Sequence, residues 1–142
     1  MSFYKCKHFR IEELVDKFTF NKFGELSWQF FDPNALRMID GLREYFDVPI
    51  YINNWLWQGE SHFRGLRPCY YKSTTQHSAH YFGKAFDMTF KGMTADEVRN
   101  RIINDQDHPH LKFINRMEAE VNWIHVDTMN IQDEQRIRVV YP

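Results

Sequence analysis

The stretch from Lys84 to Phe90, KAFDMTF, is the feature that most limits how this chain can fold. Its residues alternate in character, so an extended strand would send three apolar side chains to one face and a set that includes Asp87 to the other. Gly83 precedes the strand and can adopt backbone angles closed to other residues, which would let the chain turn and bring His80 back towards Asp87. We therefore expect a sheet with one apolar face and a histidine near a carboxylate on the other face.

Three amphipathic segments predict helices. Apolar residues recur at helical spacing over residues 10–18 and again over residues 33–46, where a proline suits the first helical position. Thr94 and Glu97 form a capping box that predicts a third helix. We expect each helix to turn its apolar stripe, which includes Phe18 in the first helix, towards the core.

The rest of the chain predicts further strands and one long irregular loop. The predicted strands run from Pro49 to Trp55, Leu111 to Glu118, Trp123 to Thr128 and Arg136 to Tyr141. Residues 58–78 contain glycines, a proline and many polar residues, which favours a loop, and long loops in compact domains often carry function. Helices followed by a sheet predict the α+β class: one domain over residues 1–142, with helices packed on a small antiparallel sheet.

The charge balance and the N-terminus limit the partners and the location. The 142 residues carry a formal net charge of −1, so no basic field attracts nucleic acid or anionic lipid, and we expect neither partner. The first residues lack the apolar core of a signal peptide, and no segment approaches about 18 uninterrupted apolar residues. We expect synthesis in the cytoplasm and no membrane segment. Cys6 and Cys69 are too few for a disulfide framework and are expected to be free thiols.

A histidine and an aspartate on one face can form a structural hydrogen bond, an acid/base pair or part of a metal site. A third ligand would favour the metal site, and the best candidate lies in residues 116–127, RMEAEVNWIHVD. If the flanking strands form a hairpin with Glu118 opposite Trp123, then His125 shares the face of Glu118 as a diagonal neighbour, and Glu120 falls in the turn. This register favours Glu118 over Glu120 as the carboxylate near His125.

Two histidines and one carboxylate (His80, His125 and Asp87) would leave a fourth position open on a tetrahedral zinc ion. That arrangement is typical of catalytic zinc sites, because structural sites normally fill all four positions with protein ligands. Zinc lowers the pKa of bound water to about 7, and a neighbouring glutamate can take the proton and pass it to a leaving amine. The set predicts one zinc ion and hydrolysis of an amide, with Glu118 as the general base.

These residues belong to a longer pattern. Ser78, His80, Gly83, Ala85 and Asp87 stand in the order S-x-H-x-x-G-x-A-x-D, and Trp123 and His125 follow as W-x-H. The pattern resembles the signature of the zinc peptidase family that includes D-alanyl-D-alanine carboxypeptidases and phage endolysins, and whose domain fold is shared with Hedgehog signalling domains. The resemblance implies that the two histidines and the aspartate hold zinc and that a glutamate before the last histidine is the general base.

The position of that glutamate varies among the relatives that the pattern resembles. Some carry it three residues before the last histidine, where this chain has Asn122, and others carry it on the preceding strand, which leaves Glu118 and Glu120 here. The segments ELV, LREYF, PIYINN and RGLRP are similar, more loosely, to the small phage and prophage branch. The resemblance implies a peptidoglycan stem peptide as substrate, cut by a carboxypeptidase or endopeptidase at the bacterial cell wall, after release or as part of a virion.

A second interpretation has the same metal but a different function. A non-catalytic domain would keep the zinc ion for stability and bind peptidoglycan or a protein partner, as Hedgehog domains bind partners. Replacing Glu118 by glutamine would separate the two, because only the catalytic interpretation predicts a loss of cleavage.

Residues around the predicted site have further assignments. Ser78 is expected either to donate to a substrate carboxylate or orient His80, or only to cap a local turn. Arg67 is expected to clamp a stem-peptide carboxylate, whereas Arg64 is more simply a solvated loop charge. Trp123 is expected to wall the site.

The remaining histidines and aromatic residues are less informative. His77 is expected to be a loop residue, and His108 and His110 need no metal. Asp127 is a candidate to hold the ring of His125 in its ligating tautomer. Several aromatic residues could line a groove for sugar or peptide, or could pack in the core. They are Trp55, Trp57, Tyr70, Tyr71, Tyr81 and Phe82.

Overall fold

A computed structural model describes residues 3–72, 78–131 and 135–142. Over these residues the α-helices are α1 (Lys17–Phe23), α2 (Pro33–Phe46) and α3 (Ala95–Asn104). The strands are β1 (Ile50–Tyr51), β2 (Ala85–Phe90), β3 (Arg116–Glu118), β4 (Ile124–Asp127) and β5 (Arg138–Val140). Short 3-10 helices cover Ile11–Glu13, Gly24–Phe30, Trp55–Trp57, Ala79–Phe82 and Pro109–Leu111. His77 lies outside the described residues.

Helix α2 has the bounds that the sequence predicts. Asp32 caps its first turn by accepting a hydrogen bond from the backbone N–H of Asn34, and Pro33 occupies the first helical position. The helix ends at Asp47, whose backbone is left-handed with φ of 53°. Its apolar stripe is buried, so α2 forms one wall of the core.

The first predicted helix is wrong in its extent. The carboxylate of Asp16 accepts a hydrogen bond from the backbone N–H of Thr19, and this cap starts a new helix where the periodic pattern predicts continuity. Residues 10–18 are therefore divided between a 3-10 turn and the start of α1. As a result Phe18 is 61% exposed and does not face the core.

Helix α3 begins with the predicted capping box. Thr94 accepts from the backbone N–H of Glu97, and Glu97 accepts from the backbone N–H of Thr94. The buried side of the helix, Val98 and Ile102, packs on β2 and β4.

The five strands form one sheet in the order β1-β2-β4-β3-β5. The pairs β1/β2, β2/β4 and β3/β4 are antiparallel, but β3 and β5 are parallel, so the prediction of an antiparallel sheet is wrong and the sheet is mixed. The reason is positional. Strand β4 lies between β2 and β3, so both of its own edges are taken; β5 joins the outer edge of β3, and because β5 runs opposite to β4 it runs parallel to β3.

Several strands are shorter than predicted. Only Ile50 and Tyr51 of the predicted first strand pair with β2, because the chain then enters a 3-10 turn at Trp55. Similarly, Pro109–Leu111 forms a 3-10 turn, so β3 begins only at Arg116. The prediction of the α+β class is confirmed.

Strand β2 alternates as predicted. Phe86, Met88 and Phe90 are at most 3% exposed and face the helices. On the polar face Ala85 and Asp87 are buried and Thr89 is exposed. The loop of residues 58–72 runs along one edge of the strand, where the backbone N–H of Asp87 donates to the carbonyl of Arg64 at 2.7 Å. The polar face of β2 therefore presents a buried carboxylate beside this loop.

The state of the cysteines agrees with the sequence. Cys6 and Cys69 are free thiols. Among the described residues, no helix has the length and apolar character needed to cross a membrane.

Candidate metal centre

Three side chains that are far apart in the chain meet above the middle of the sheet. His80 comes from the 3-10 turn Ala79–Phe82, Asp87 from β2 and His125 from β4, and one ligand atom of each lies within 4.8 Å of the others. Among the described residues this is the one group of three or more such side chains that could hold a metal ion. We call it the buried cluster.

Strand pairing fixes two members of this cluster and the predicted base in one row. Asp87 is directly opposite His125 in the β2/β4 register, and the β3/β4 register, continued by one residue, puts Glu118 opposite His125. The Glu118 Oε2 atom is 4.0 Å from His125 Nδ1. The predicted register, with Glu118 opposite Trp123, is wrong by two residues. It still gives the correct face, because side chains alternate with a period of two.

The ring of His80 is held from behind by the loop. Its Nδ1 lies 2.9 Å from the carbonyl oxygen of Gly65, so Nδ1–H donates there and Nε2 is left for the site, 3.3 Å from Asp87 Oδ2. The side chain of His80 is only 2% exposed. Gly65 is pressed against the chain behind it, because a Cβ there would lie 2.2 Å from the carbonyl oxygen of Leu14. The glycine thus lets its own carbonyl reach the imidazole.

Gly83 makes the turn that the sequence predicts. It has φ of 66°, a conformation that favours glycine, and it ends the 3-10 turn that carries His80. A Cβ on Gly83 would lie 2.2 Å from the carbonyl oxygen of Phe30, and the carbonyl of Gly83 accepts from the backbone N–H of Asp32. The turn is therefore docked against the start of α2.

The ring of His125 uses its nitrogens the other way round from His80, with Nε2 on a supporting side chain and Nδ1 facing Asp87. Its Nε2 is 3.0 Å from Asp127 Oδ2, and its Nδ1 is 2.9 Å from Asp87 Oδ1. Burial lowers the pKa of His125, but the hydrogen bonds to Asp127 and Asp87 outweigh it and raise the pKa to about 9. Each ring nitrogen therefore carries a proton at neutral pH. Removal of the Nδ1 proton presents a lone pair to the site while Nε2–H stays on Asp127.

Asp127 is the most enclosed acid of the site, with no exposed surface. Besides His125 it binds Arg116, whose Nε and terminal nitrogen donate at 2.9 and 2.8 Å, and it accepts from the backbone N–H of Met129. Burial raises the pKa of Asp127, but these hydrogen bonds outweigh it and hold the pKa below its ordinary value. The predicted contact of Asp127 with His125 is confirmed.

The buried cluster has the donor chemistry of a zinc site. Burial raises the pKa of Asp87, but hydrogen bonds from His125 and His80 outweigh it and hold the pKa well below its usual range. The carboxylate therefore stays ionised. One ligand atom of each residue lies within 4.8 Å of the others, and Asp87 faces the two imidazoles with different oxygens, Oδ2 at 3.3 Å from His80 Nε2 and Oδ1 at 2.9 Å from His125 Nδ1. Each imidazole also donates its other N–H to an oxygen, as metal-ligating histidines nearly always do.

The other predicted site residues are Ser78, Arg67 and Trp123. Ser78 caps the 3-10 turn by accepting from the backbone N–H of His80 at 3.3 Å, which is the turn-cap alternative. Arg67 lies at the cluster, with its guanidinium 3.4 Å from Asp87 Oδ2. Trp123 is 38% exposed just before β4. Contacts of these three residues with a substrate stay predictions.

The assignment of Arg64 changes in detail, whereas Glu120 lies in the turn as predicted. Arg64 is not a simple solvated charge, because its guanidinium donates to the carbonyl of Tyr51 and the hydroxyl of Thr89 along the sheet edge. Glu120 is exposed in the connection between β3 and β4, with left-handed φ of 62°. It lines an open cavity of about 550 Å³ with Arg99 and its neighbours.

Sequence reasoning missed Gly65 and Arg116. The Gly65 carbonyl leaves no local signal, because any residue has one. Arg116 did leave a signal: its charge is opposite to that of Asp127, and opposite charges directly across two strands stabilise a pairing. The observed register pairs Arg116 with Asp127, and the same register brings Glu118 opposite His125.

A second group on the protein has the same composition. His8 Nε2 lies 3.1 Å from one oxygen of Glu44, and His110 Nδ1 lies 3.4 Å from the other. These side chains are 33% to 44% exposed. We call them the surface cluster.

Comparisons with known proteins add no relative. A scan against protein-family models gave no match for this chain, and searches of curated proteins and of solved structures gave none either.

Proposed function

We propose that this chain is a zinc-dependent peptidase that hydrolyses an amide bond in peptidoglycan stem peptides, with the domain fold of the D-alanyl-D-alanine carboxypeptidases and Hedgehog domains. One observation carries the metal part of the proposal. Two imidazoles, buried His80 and half-buried His125, turn different nitrogens, Nε2 of His80 and Nδ1 of His125, towards the carboxylate of Asp87, and each has its other nitrogen on an oxygen. The peptidoglycan substrate is supported by the sequence pattern from Ser78 to Asp87 and from Trp123 to His125.

The residues of the buried cluster would hold one zinc ion with three protein ligands, which is the ligand count of catalytic sites. Bound zinc supplies Lewis acidity that polarises a carbonyl and makes water more acidic. An imidazole that holds zinc must be neutral, so His125 would have to give up its Nδ1 proton to serve as a ligand. Asp127 and Arg116 keep the Nε2–H in place while this happens.

Glu118 is the residue positioned to move protons. Its carboxylate is 4.0 Å from His125 Nδ1, and its side chain is 22% exposed, so water reaches it. As general base it takes a proton from the attacking water while the new C–O bond forms. It then gives this proton to the leaving nitrogen as the C–N bond breaks. Arg67, beside Asp87, is the nearby cation for a substrate carboxylate.

The test combines metal content with analysis of the products. The parent protein, reconstituted with zinc, should retain one ion per chain and release fragments from purified peptidoglycan that mass spectrometry identifies. Glu118→Gln should keep the ion and lose roughly 10²–10⁴-fold in cleavage rate. Glu120→Gln is the matched control variant, because Glu120 is two residues from Glu118 but does not lie in the row with His125. A parent protein that holds no zinc and releases no fragment would refute the proposal.

The same experiment evaluates the non-catalytic alternative, which Asn122 favours because some members of the family that the sequence pattern resembles carry the catalytic glutamate at that position. In that case the parent binds zinc and sediments with peptidoglycan, yet releases no fragment, and Glu118→Gln changes neither property.

A further inference from the structure

A row of aromatic side chains leads away from the buried cluster along the loop of residues 58–72. Arg67, which contacts Asp87, stacks on the ring of Tyr71 at 5.3 Å. Phe63 packs on Tyr71 at 4.7 Å and on Tyr70 at 6.5 Å between ring centres. The row ends at Phe18 of α1, 5.5 Å from Tyr70. The two outermost rings are solvent-accessible: Phe18 is 61% and Tyr70 is 46% exposed.

The outer part of this row forms one side of an open cavity of about 520 Å³, which we call the aromatic groove. The rings of Phe18 and Tyr70 are inclined at 79° to one another, so they meet as two walls of a corner and do not stack on each other. Asn21 and His62 add polar side chains to the lining. The groove thus combines aromatic walls with a few hydrogen-bonding groups, as small-molecule sites do.

Two side chains of the groove, Tyr70 and His62, are held by contacts within the protein. The hydroxyl of Tyr70 donates to the buried carboxylate of Asp16, the residue that caps α1. Burial and this hydrogen bond raise the pKa of Tyr70 to about 12, so the hydroxyl keeps its proton. The ring of His62 lies parallel to that of Trp55 at 6.4 Å. Side chains that are already ordered lose little entropy on binding.

We infer that the aromatic groove binds a neutral saccharide, and specifically the glycan part of a substrate whose peptide part lies at the buried cluster. Sugar rings present flat C–H faces that pack on the negative faces of aromatic rings, and their hydroxyl and acetamido groups need donors and acceptors at the edge. Strong charge is not a feature of the groove, since the carboxylate of Asp16 is engaged and Lys17 stands alone in the lining. The link to the buried cluster rests on the proposed function, but the binding of sugar does not.

The experiment uses a β-1,4-linked N-acetylglucosamine tetramer, which has no peptide and cannot be hydrolysed by a peptidase. Titration of the full chain, followed by NMR and calorimetry, should give saturable binding with shifts confined to the groove. Phe18→Ala should weaken the affinity by roughly tenfold, the loss of one stacking contact. Because Phe18 is mostly exposed, its removal leaves the core intact.

Matched variants keep the two proposals separate. Phe23→Ala removes another exposed ring from the same helix, one that packs on Phe30, and should leave tetramer affinity unchanged. His80→Ala should abolish zinc binding and still bind the tetramer. Conversely, Phe18→Ala should still cleave a sugar-free stem peptide. A parent protein that shows no saturable binding, or a Phe18→Ala variant that binds the tetramer as the parent does, would overturn the inference.

Discussion

The buried cluster and the surface cluster have the same composition, two histidines and one carboxylate, but only the buried cluster has the surroundings of a metal site. In the buried cluster the Gly65 carbonyl and the Asp127 carboxylate each hold the second nitrogen of an imidazole. In the surface cluster, His8 and His110 bind separate oxygens of Glu44 at a place where solvent competes for every contact. The comparison teaches that ligand type is not enough: burial and the hydrogen bonds behind each ligand decide whether three side chains act as one site.

Removal of one ligand from each cluster should give the largest contrast. His80→Ala takes one of three ligands from the buried cluster, so we expect stoichiometric zinc to be lost, a larger effect than the roughly 10–100-fold that loss of an outer hydrogen bond costs. His110→Ala should retain the ion. Metal analysis of both variants after dialysis measures this directly. Equal zinc loss from the two variants would mean that the clusters do not differ in the way described.

Glycine substitutions should show that the backbone under the buried cluster is constrained and that the surface is not. Gly83→Ala combines a left-handed backbone with a contact against the Phe30 carbonyl, for which we expect about 3–4 kcal/mol lost in the free energy of unfolding. Gly92 also has positive φ, of 76°, but nothing lies within 4 Å of an added Cβ, so Gly92→Ala should cost only about 1–2 kcal/mol. Urea unfolding of both variants gives the difference, and equal losses would remove any role for the contact with Phe30.

Asp127→Asn should make the buried cluster more like the surface cluster. Both oxygens of Asp127 accept hydrogen bonds from Arg116, Met129 and His125, and an amide can accept on one side only. We expect zinc affinity to fall by roughly 10–100-fold, together with a change in the ring nitrogen shifts of His125 in NMR spectra. Asp105→Asn, a surface carboxylate that accepts from Tyr45, is the matched control and should change neither. Unchanged ring shifts in Asp127→Asn would show that Asp127 does not set the tautomer.

The smallest effect should come from Glu44 of the surface cluster. The hydrogen bond from His8 lowers the pKa of Glu44, opposed by slight burial and helped by the charges of His110 and Lys7. A lowered pKa adds stability above the unfolded value near 4.3, and this stability is lost as the pH falls through the folded value. Glu44→Gln should therefore cost about 0.2–1 kcal/mol at about pH 6, and progressively less as the pH falls below the unfolded value. A larger cost at the lower pH would contradict the assigned direction of the shift.

Much of the fold could be predicted because strong local signals were present. The proline after Asp32 and the capping box at Thr94 gave the starts of α2 and α3, and alternation gave the faces of β2. The predicted extent of the first helix was wrong because Asp16 caps a new helix and so interrupts an otherwise continuous apolar period. The antiparallel pairing predicted for the last strand was wrong for a different reason, since the edge that a last strand joins depends on which edges are already taken.

In the candidate site, too, features that follow from local sequence patterns could be predicted and the tertiary arrangement could not. The face shared by Glu118 and His125 follows from parity alone and was predicted correctly, whereas the register depends on how many residues the turn between the strands holds. In the surface cluster His8 binds Glu44, which lies 36 positions further along the chain, so no local sequence pattern predicts the contact. The contact of the loop with β2 is a tertiary interaction between Arg64 and Asp87, so the alternation of residues within β2 cannot predict it.

The transverse row of Asp87, His125 and Glu118 has a consequence for how this protein can be altered. The spacing of the row is set by strand pairing, and the short turn between β3 and β4 is the connection that fixes a register within it. The longer connection from β2 to β3 can be lengthened, shortened or exchanged while Asp87, His125 and Glu118 keep their positions. A single inserted residue within β2 or β4, in contrast, would turn Asp87 or His125 to the opposite side and dismantle the centre.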